Sequence, residues 1–374
     1  MSGLIIHEWF EDFGGAEKVV DAVENIFPDV RLNCLWDSRN LSGAESRVSQ
    51  SWLSKTPLRH NKSLAVPFMH SCWKNISVLE RPDWVFISSH LFSHHVAQAR
   101  VLKDIPKIAY IHTPARYIWE PEVDFRGQTT LARVAAPYLR QLDRKTAQSS
   151  KNITWVANSE FVRQRMHSSW DLGAMVIHPP VSSEEIIESL KRQEYSETVV
   201  SILASLPEKY VVGASRFVSY KRLETVIGFG NSANIPVVLV GSGEEEGRLR
   251  EIASKSQVPV LFVINPPNSL LWEIFARSLA LIYPAVEDFG IIPVEAMAAG
   301  TPVLAINRGG TSETVENGVS GVLVPEIGTL DASKTLKELA SMNRDEIRDR
   351  SMIFDKKVFQ VKMRALIEEI QISA

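Results

Sequence analysis

Short runs of branched apolar residues alternate with helical segments through the second half of the chain, and this alternation constrains the fold more than any other feature. The runs are "YVVGA", "PVVLVG", "PVLFVI", "LALIYP", "PVLAI" and "GVLVP". Strands in which nearly every residue is apolar are typical of a parallel sheet covered by helices on both faces. The pattern therefore predicts a Rossmann-like domain.

The first half shows the same architecture with longer insertions. The strands are predicted at "GLIIHEW", "DWVFISSH", "PKIAYIHT" and "ITWVANS", with an amphipathic helix after the first one that aligns Val19, Val20, Val23 and Ile26 on one face. Pro179-Pro180 interrupts this order and indicates a hinge region. We expect an α/β protein with two Rossmann-like domains, residues 1–180 and 181–354, and a terminal helix, 355–374, that packs back on the first domain. A ligand is expected in the cleft between the domains, at the carboxyl ends of both sheets.

Composition excludes several classes of protein. A chain of 374 residues suits two domains, and 45% apolar with 23% charged residues is ordinary for a globular protein. The net charge is +3 over residues 1–178 and −6 over 179–374, too small an excess for a partner that is a nucleic acid. Cys34 and Cys72 do not have the CxxC or Cys/His spacing of metal ligands and are expected to be buried free thiols. Neither a secretory signal nor a membrane-spanning run is present, so we expect a cytoplasmic location.

The stretch "VEDFGIIPVEAMAAG" carries two glutamates, Glu287 and Glu295, around the start of a short helix. Glu287 follows a strand, and the backbone amides from Phe289 through Gly290 and Ile291 to residue 292 point out of the helix N-terminus, where phosphates bind. Carboxylates on either side would accept hydrogen bonds from hydroxyl groups flanking such a phosphate. Alternatively, Glu295 is only a favourable acid in a first helical turn and Glu287 a solvated loop residue.

Two cations occur on the loop after the first strand of the second half. Arg216 and Lys221, in "GASRFVSYKRLE", can together neutralise a diphosphate, whereas Arg222 is expected at the surface. No DxD motif or other acidic pair suited to Mg²⁺ occurs, so we expect these cations to replace a metal and no cofactor to be needed. The glycines of "VVLVGSGEEEG" have one residue too many for a dinucleotide fingerprint and make a weak NAD site.

Five motifs in order resemble the retaining glycosyltransferases of family 4, whose GT-B fold has two Rossmann-like domains. They are "HEWFEDFGGAEKVV", "YIHTPARYIWE", "VANSEFV" with "IHPPV", "GASRFVSYKR" and the stretch from "VEDFG" to "SGVLV". The first three resemble the branch of mannosyltransferases that build bacterial O-antigen and exopolysaccharide. The turn "NPPNS", where the family usually has glycine beside the nucleobase, departs from the pattern, as does a long connection between the halves.

The resemblance implies a role for each matching residue. Glu287 would hold hydroxyls of the donor hexose, and Glu295 those of the ribose. Arg216 and Lys221 would grip the diphosphate, and His112 would contact the transferred sugar unless it is a structural histidine at a strand end. The backbone amides of Phe289 and Gly290 would bind sugar and phosphate, and the glycines before the first helix would let the backbone approach donor and acceptor; these are Gly14 and Gly15.

These roles predict attack by an acceptor hydroxyl on the face that the diphosphate leaves, with retention of configuration. The favoured donor is GDP-mannose, with UDP- or dTDP-sugars as alternatives. The acceptor would be a lipid-linked glycan, and basic amphipathic segments such as "LARVAAPYLRQLDRKTAQ" could contact the cytoplasmic face of the inner membrane or be plain solvated surface. A nucleotide-sugar isomerase and a non-catalytic binding subunit are the other classes that we consider.

Overall fold

A computed structural model describes residues 2–11, 14–39, 47–121, 130–192 and 194–372. The chain divides into two compact units. The first contains residues 1–180 and 357–374, and the second contains 181–356. Val181, the first residue of the second unit, bridges Asp355 and accepts a hydrogen bond from the Lys356 amide at 2.8 Å.

The described part of the first unit contains a seven-stranded parallel sheet. In chain order its strands are β1 Gly3–Phe10, β2 Arg31–Asp37, β3 Val48–Gln50, β4 Trp84–Ser89, β5 Lys107–Ile111, β6 Ile153–Ala157 and β7 Met175–Val176. Their spatial order is β3-β2-β1-β4-β5-β6-β7. The order reverses between β1 and β4, whose carboxyl ends therefore flank the crevice where ligands bind in open α/β sheets.

Helices and 3₁₀ turns connect these strands. The helices are α1 Gly15–Ile26, α2 Lys62–Lys74, α3 Arg116–Trp119, α4 Thr130–Ser149 and α5 Glu160–Trp170, with 3₁₀ turns at Trp52–Lys55, Pro57–His60, Ser93–Gln98 and Arg100–Leu102. The predicted apolar face of α1 is confirmed, because its valines and Ile26 are all buried. The membrane-facing interpretation falls partly on α4, of which the side chains of residues 130–132 lie outside the described set.

The second unit repeats the pattern with six described parallel strands. They are β8 Val211–Ala214, β9 Val237–Val240, β10 Val260–Val263, β11 Leu281–Tyr283, β12 Val303–Ile306 and β13 Gly321–Val324, in the spatial order β10-β9-β8-β11-β12-β13. The order reverses between β8 and β11. Each of the apolar runs in the sequence forms one of these strands.

The helices of the second unit cover both faces of its sheet. They are α6 Ser183–Arg192, α7 Glu197–Ser205, α8 Glu224–Ala233, α9 Glu246–Ser254, α10 Asn268–Arg277, α11 Ile291–Ala298, α12 Thr311–Thr314, α13 Ala332–Ala340 and α14 Arg344–Met352, with 3₁₀ turns at Ser219–Lys221 and Ile327–Thr329. Two apolar clusters, one on each side of the sheet, form the core of this unit. Burial of apolar surface on both faces is what a parallel sheet requires.

The last helix, α15 Lys356–Ile372, returns to the first unit. Phe359, Met363, Leu366 and Ile367 are buried in the same apolar cluster as α1. Cys34 and Cys72 are both free and buried, as predicted. Among the described residues, no helix combines the length and apolar character needed to cross a bilayer.

Candidate functional site

Two loops meet at the strand reversal of the second sheet. The loop after β8 carries Arg216 and Lys221, and the loop after β11 carries Glu287. Because β8 and β11 are neighbours in the sheet, their carboxyl ends place these loops side by side. The structure thus brings together Lys221 and Glu287, which are 66 positions apart in the sequence and form an ion pair.

Lys221 is a mostly buried cation between an acid and two phenol rings. Its Nζ contacts Oε1 of Glu287 and lies 5.3 Å from the Tyr220 ring centroid and 5.9 Å from that of Tyr283. Burial alone would lower the pKa of the ammonium, but the neighbouring Tyr283, Glu287 and Tyr220 outweigh burial and raise that pKa above its ordinary value. Lys221 is therefore charged at neutral pH. Burial also raises the pKa of Tyr283, so this phenol keeps its proton.

Arg216 lies at the surface on the same loop. Its Nη2 donates a hydrogen bond to the Tyr220 hydroxyl at 3.0 Å, so that Tyr220 contacts both cations of the loop. Arg222, the adjacent basic residue, is exposed, has a left-handed backbone and lies 3.7 Å from Glu326. Its predicted place at the surface is confirmed.

The helix after Glu287 is α11, in which every residue except Glu295 is apolar and all residues from Pro293 onward are buried. It begins at Ile291, with Gly290 as its N-cap in a left-handed conformation, φ 94°. Glu295 is the fifth helical residue, just past the first turn, and is buried. Phe289 is buried against Phe354, with ring centroids 5.5 Å apart. The N-terminus of α11 therefore lies a few residues after Glu287. Its unpaired backbone amides and the helix dipole favour binding of an anion there.

Two glycines in the loop after β12, Gly309 and Gly310, support the Glu287 loop. The loop after β12 packs directly on it, and the Gly310 amide donates to the Glu287 carbonyl at 2.7 Å. A Cβ at Gly310 would lie 2.2 Å from the Phe289 Cα, and one at Gly309 would lie 2.5 Å from the Glu287 carbonyl oxygen. Sequence reasoning missed these two glycines, although the pair "GG" after a strand was the available signal.

The glycines of the "GSG" segment have a packing role. Gly241 and Gly243 have positive φ, and a Cβ at either would lie within 2.4 Å of a carbonyl oxygen in the Arg216 loop, of Ser215 or of Phe217. The Phe217 amide donates to the Ser242 carbonyl at 2.7 Å. The segment thus braces the loop that carries Arg216.

In the first unit, His112 lies directly after β5. Its Nε2 is 2.8 Å from the Ser88 hydroxyl, which is 3.0 Å from Nδ1 of His7. The His112 amide also donates to the Ser89 carbonyl at 2.8 Å, and its carbonyl accepts from Asn158 Nδ2 at 3.0 Å. The imidazole of His112 therefore has a fixed position at the end of the strand.

Gly14 and Gly15 lie at the start of α1, after the crevice-forming end of β1. Gly14 is the N-cap and is extended, φ −158°, a conformation open to any residue. A Cβ at Gly14 would meet only the carboxylate of Glu17, the mobile end of a side chain. The backbone conformation thus does not require glycine at position 14. What distinguishes Gly14 from other residues at this position is its small size.

Two groups of possible metal ligands occur among the described residues, both in the first unit. One contains His7, Glu8 and His90, and the other contains His94, His95 and Asp143. Asp143 accepts hydrogen bonds from His94 and His95 and from the indoles of Trp119 and Trp170, so its oxygens are satisfied. Glu8 Oε1 accepts hydrogen bonds from the backbone amides of Leu91 and Ser93, each at 2.9 Å. Imidazole-rich groups of this kind do not suit Mg²⁺, which prefers oxygen ligands.

Comparison with known proteins finds sequence similarity in the second unit. Residues 183–353 match the sequence model of the family described as "Glycosyl transferases group 1". The alpha-1,3/1,6-mannosyltransferase alg-2 of Neurospora crassa is 43% identical over 94 residues, which are 24% of this chain and 20% of that protein. The matched stretch thus spans about a fifth of the length of this relative. The match to the family model extends over nearly the whole of the second unit, residues 181–356.

Solved structures are similar over the whole chain. Sucrose-phosphate synthase from Thermosynechococcus elongatus is 16% identical, covers 100% of both chains and gives a TM-score of 0.74. The Anabaena protein HepE in complex with UDP-glucose is 19% identical, covers 99% of this chain and 100% of its own and gives a TM-score of 0.67. At these identities the likeness concerns the fold alone. It confirms the predicted fold class, GT-B with two Rossmann-like domains.

Proposed function

We propose that the protein is a retaining hexosyltransferase that moves mannose from GDP-mannose to a hydroxyl of a growing lipid-linked bacterial surface glycan. The observation that carries the proposal is the pairing of Lys221 with Glu287 at the strand reversal of the second unit, which matches the group 1 glycosyl transferase model. A cation for phosphate and an acid for hydroxyls lie there beside a helix N-terminus. A nucleotide sugar presents both chemical groups.

Donor binding changes the partners of this ion pair. Without the donor, the Glu287 carboxylate neutralises the Lys221 ammonium. With the donor, the diphosphate offers Lys221 a stronger anion, and hexose hydroxyls donate to Glu287. Arg216, held by the Tyr220 hydroxyl, supplies the second charge for the diphosphate. Glu295 accepts from the ribose hydroxyls, and the amides of Phe289, Gly290 and Ile291 contact sugar and phosphate.

In the transfer step, the acceptor hydroxyl oxygen bonds to the anomeric carbon on the face from which the diphosphate departs. The bond from that carbon to the phosphate oxygen breaks, and its electron pair stays on the diphosphate. The hydroxyl proton passes to the same phosphate oxygen, so configuration is retained. Arg216 and Lys221 stabilise the charge that develops on the diphosphate. By the family resemblance, His112, Gly14 and Gly15 of the first unit would contact the transferred sugar, the donor phosphates and the acceptor.

The choice of mannose is supported by two likenesses. The matched stretch of alg-2 belongs to a protein named as a mannosyltransferase, and the motifs of the first unit resemble mannosyltransferases of O-antigen and exopolysaccharide assembly. The complex of HepE with UDP-glucose favours the alternative that this chain uses a UDP-sugar. The acceptor would lie at the cytoplasmic face of the inner membrane, which the protein would contact peripherally.

A donor panel tests the proposal. The full chain is incubated with GDP-mannose, UDP-glucose, UDP-N-acetylglucosamine or dTDP-rhamnose and a lipid-linked glycan extract, with and without EDTA, and the products are analysed by mass spectrometry. We expect a glycan extended by one hexose with GDP-mannose and an equal rate in EDTA, because the two cations replace a metal. A new nucleotide sugar would indicate an isomerase. Loss of turnover in EDTA with rescue by Mg²⁺ would contradict the mechanism.

Thermal shift with GDP, UDP and dTDP identifies the base independently of the acceptor. A ligand at a hundredfold its Kd stabilises the folded state by about 2.7 kcal/mol, so the matching nucleotide gives the largest rise in Tm. We expect GDP to give that rise. Binding of a nucleotide without any transfer in the donor panel would favour the non-catalytic binding subunit.

A further inference from the structure

A hydrogen-bonded chain of three side chains runs through the first unit and ends at His112. His7 on β1 is fully buried, Ser88 on β4 is fully buried, and His112 follows β5. These are three adjacent strands of the sheet, and His7 and Ser88 are partners in the register between β1 and β4. The Ser88 hydroxyl lies 3.0 Å from His7 Nδ1 and 2.8 Å from His112 Nε2.

The other ring nitrogen of His7 restricts where the protons of this chain can be. His7 Nε2 is buried and has no hydrogen-bond partner among the described residues. Burial, with a contribution from the nearby His90, lowers the pKa of His7 to about 3, so the ring is neutral and carries one proton. A buried N–H without an acceptor is rare in folded proteins, whereas an unpaired acceptor is better tolerated. The proton of His7 therefore belongs on Nδ1.

The proton on His7 Nδ1 orders the rest of the chain. Nδ1 donates to the Ser88 oxygen, and the Ser88 hydroxyl must then donate elsewhere. Within the part of the chain that the structure describes, His112 Nε2 is the acceptor in reach of this hydroxyl. The reverse order would leave a buried His7 N–H without an acceptor among the residues that the structure describes. If both histidines donated to the Ser88 oxygen, the Ser88 hydroxyl proton would have no acceptor among the described residues.

We infer that Ser88 and His7 are positioning residues that fix the tautomer of His112, with Nε2 as an unprotonated acceptor and Nδ1 carrying the proton. Toward a sugar, His112 would therefore act as an N–H donor through Nδ1 and not as a base through Nε2, whose lone pair accepts from Ser88. This assignment of the tautomer rests on the hydrogen-bond chain and on the neutral, buried ring of His7. Its consequence for turnover rests on the proposed function.

The tautomer is measurable without any substrate. The full-length chain is labelled with ¹⁵N-histidine, its imidazole nitrogens are observed by long-range ¹H–¹⁵N correlation NMR, and the His112 signals are identified by their absence in His112→Gln. We expect a protonated Nδ1 and an unprotonated Nε2 in wild type. A protonated Nε2 would overturn the inference, and this measurement needs no other variant.

Variants of Ser88 test the coupling. In Ser88→Ala we expect the His112 ring to become a mixture of tautomers and kcat to fall by about three- to tenfold with little change in KM for the donor, because one orienting hydrogen bond is lost. Ser88→Thr keeps the hydroxyl and should restore both properties. Ser278→Ala, which removes another fully buried serine hydroxyl, bonded to the Phe275 carbonyl at 2.8 Å, is the matched control and should change neither.

The two readouts separate the inference from the proposed function. A Ser88→Ala variant in which His112 keeps a single Nδ1-protonated tautomer would overturn the inference, whatever its activity. A wild-type chain that shows the expected tautomer but transfers no sugar from any donor would refute the function and leave the inference intact.

Discussion

At the scale of single residues, Lys221 shows how competing electrostatic effects define a site. Burial of an ammonium costs free energy and would lower its pKa, yet the carboxylate of Glu287 and the surrounding phenols more than offset that cost. A lysine kept charged in a mostly buried position is ready to receive an anion. Perturbed groups of this kind occur preferentially at functional sites.

The site assignment predicts large effects from two small substitutions. We expect Lys221→Ala and Glu295→Ala each to lower kcat/KM for the donor by at least about tenfold, because each removes a hydrogen bond to a charged group. Steady-state kinetics with the preferred nucleotide sugar measures this. Lys255→Ala removes an exposed lysine at the C-terminal end of α9, where it pairs with Glu251, and should leave kcat/KM unchanged. Near-normal values for both site variants would refute the assignment.

At the scale of elements, the strand reversal depends on close packing of loops as well as on the strands. The loop after β12 approaches the Glu287 loop so closely that only glycine fits at position 310. The loop after β9 braces the Arg216 loop in the same way, through Gly241 and Gly243. Glycine is used at these positions because backbone must lie against backbone.

Gly310→Ala should therefore displace the Glu287 loop. The added Cβ would overlap the Phe289 Cα and the Asp288 carbonyl, which are backbone atoms that cannot move independently of the loop. We expect a lower Tm and a loss of at least about tenfold in kcat/KM for the donor. Gly328→Ala is the control, since no atom lies within 4 Å of its Cβ position. Wild-type Tm and kinetics in Gly310→Ala would show that the loop tolerates the side chain.

At the scale of the whole molecule, buried histidines make the stability of the first unit depend on pH. Burial lowers the pKa of His7 from 6.5 to about 3 and that of His95 from 6.5 to about 4. Between those values and pH 6.5 the unfolded chain binds these protons and the folded chain does not, so stability falls as the pH falls. Burial would raise the pKa of Asp143, but the hydrogen bonds from His94 and His95 lower it below its ordinary value. The contribution of this carboxylate to stability is therefore lost only below about pH 4.

We expect the free energy of unfolding to be lower at pH 5 than at pH 7 by about 2 kcal/mol for each of the two histidines. Urea unfolding followed by tryptophan fluorescence reports mainly on the first unit, since eight of the nine tryptophans lie in residues 1–180. His95→Asn should remove about half of the difference, whereas His167→Asn, at an exposed position, should remove none. An equal unfolding free energy at both pH values would contradict the prediction.

Most of the second unit could be predicted because its signals are local. Each continuous apolar run forms a strand, and helices such as α9 and α11 follow from periodicity and from glycine or proline at their ends. In the first unit β2, β3, β7 and α2 were not predicted. The residues of α2 have weak apolar periodicity, and β3 and β7 are short and only partly buried, so their place in the sheet depends on their neighbours.

The sequence by itself determined the fold class and the residue types of the candidate site, because apolar patterning and the chemistry of Arg216, Lys221, Glu287 and Glu295 are properties of the chain. Only the tertiary structure decided that Lys221 pairs with Glu287, that Gly310 must lack a side chain and that Ser88 joins His7 to His112. Each of these contacts joins residues from separate strands or loops. Strand order in the sheet, which no local pattern encodes, brings them within bonding distance.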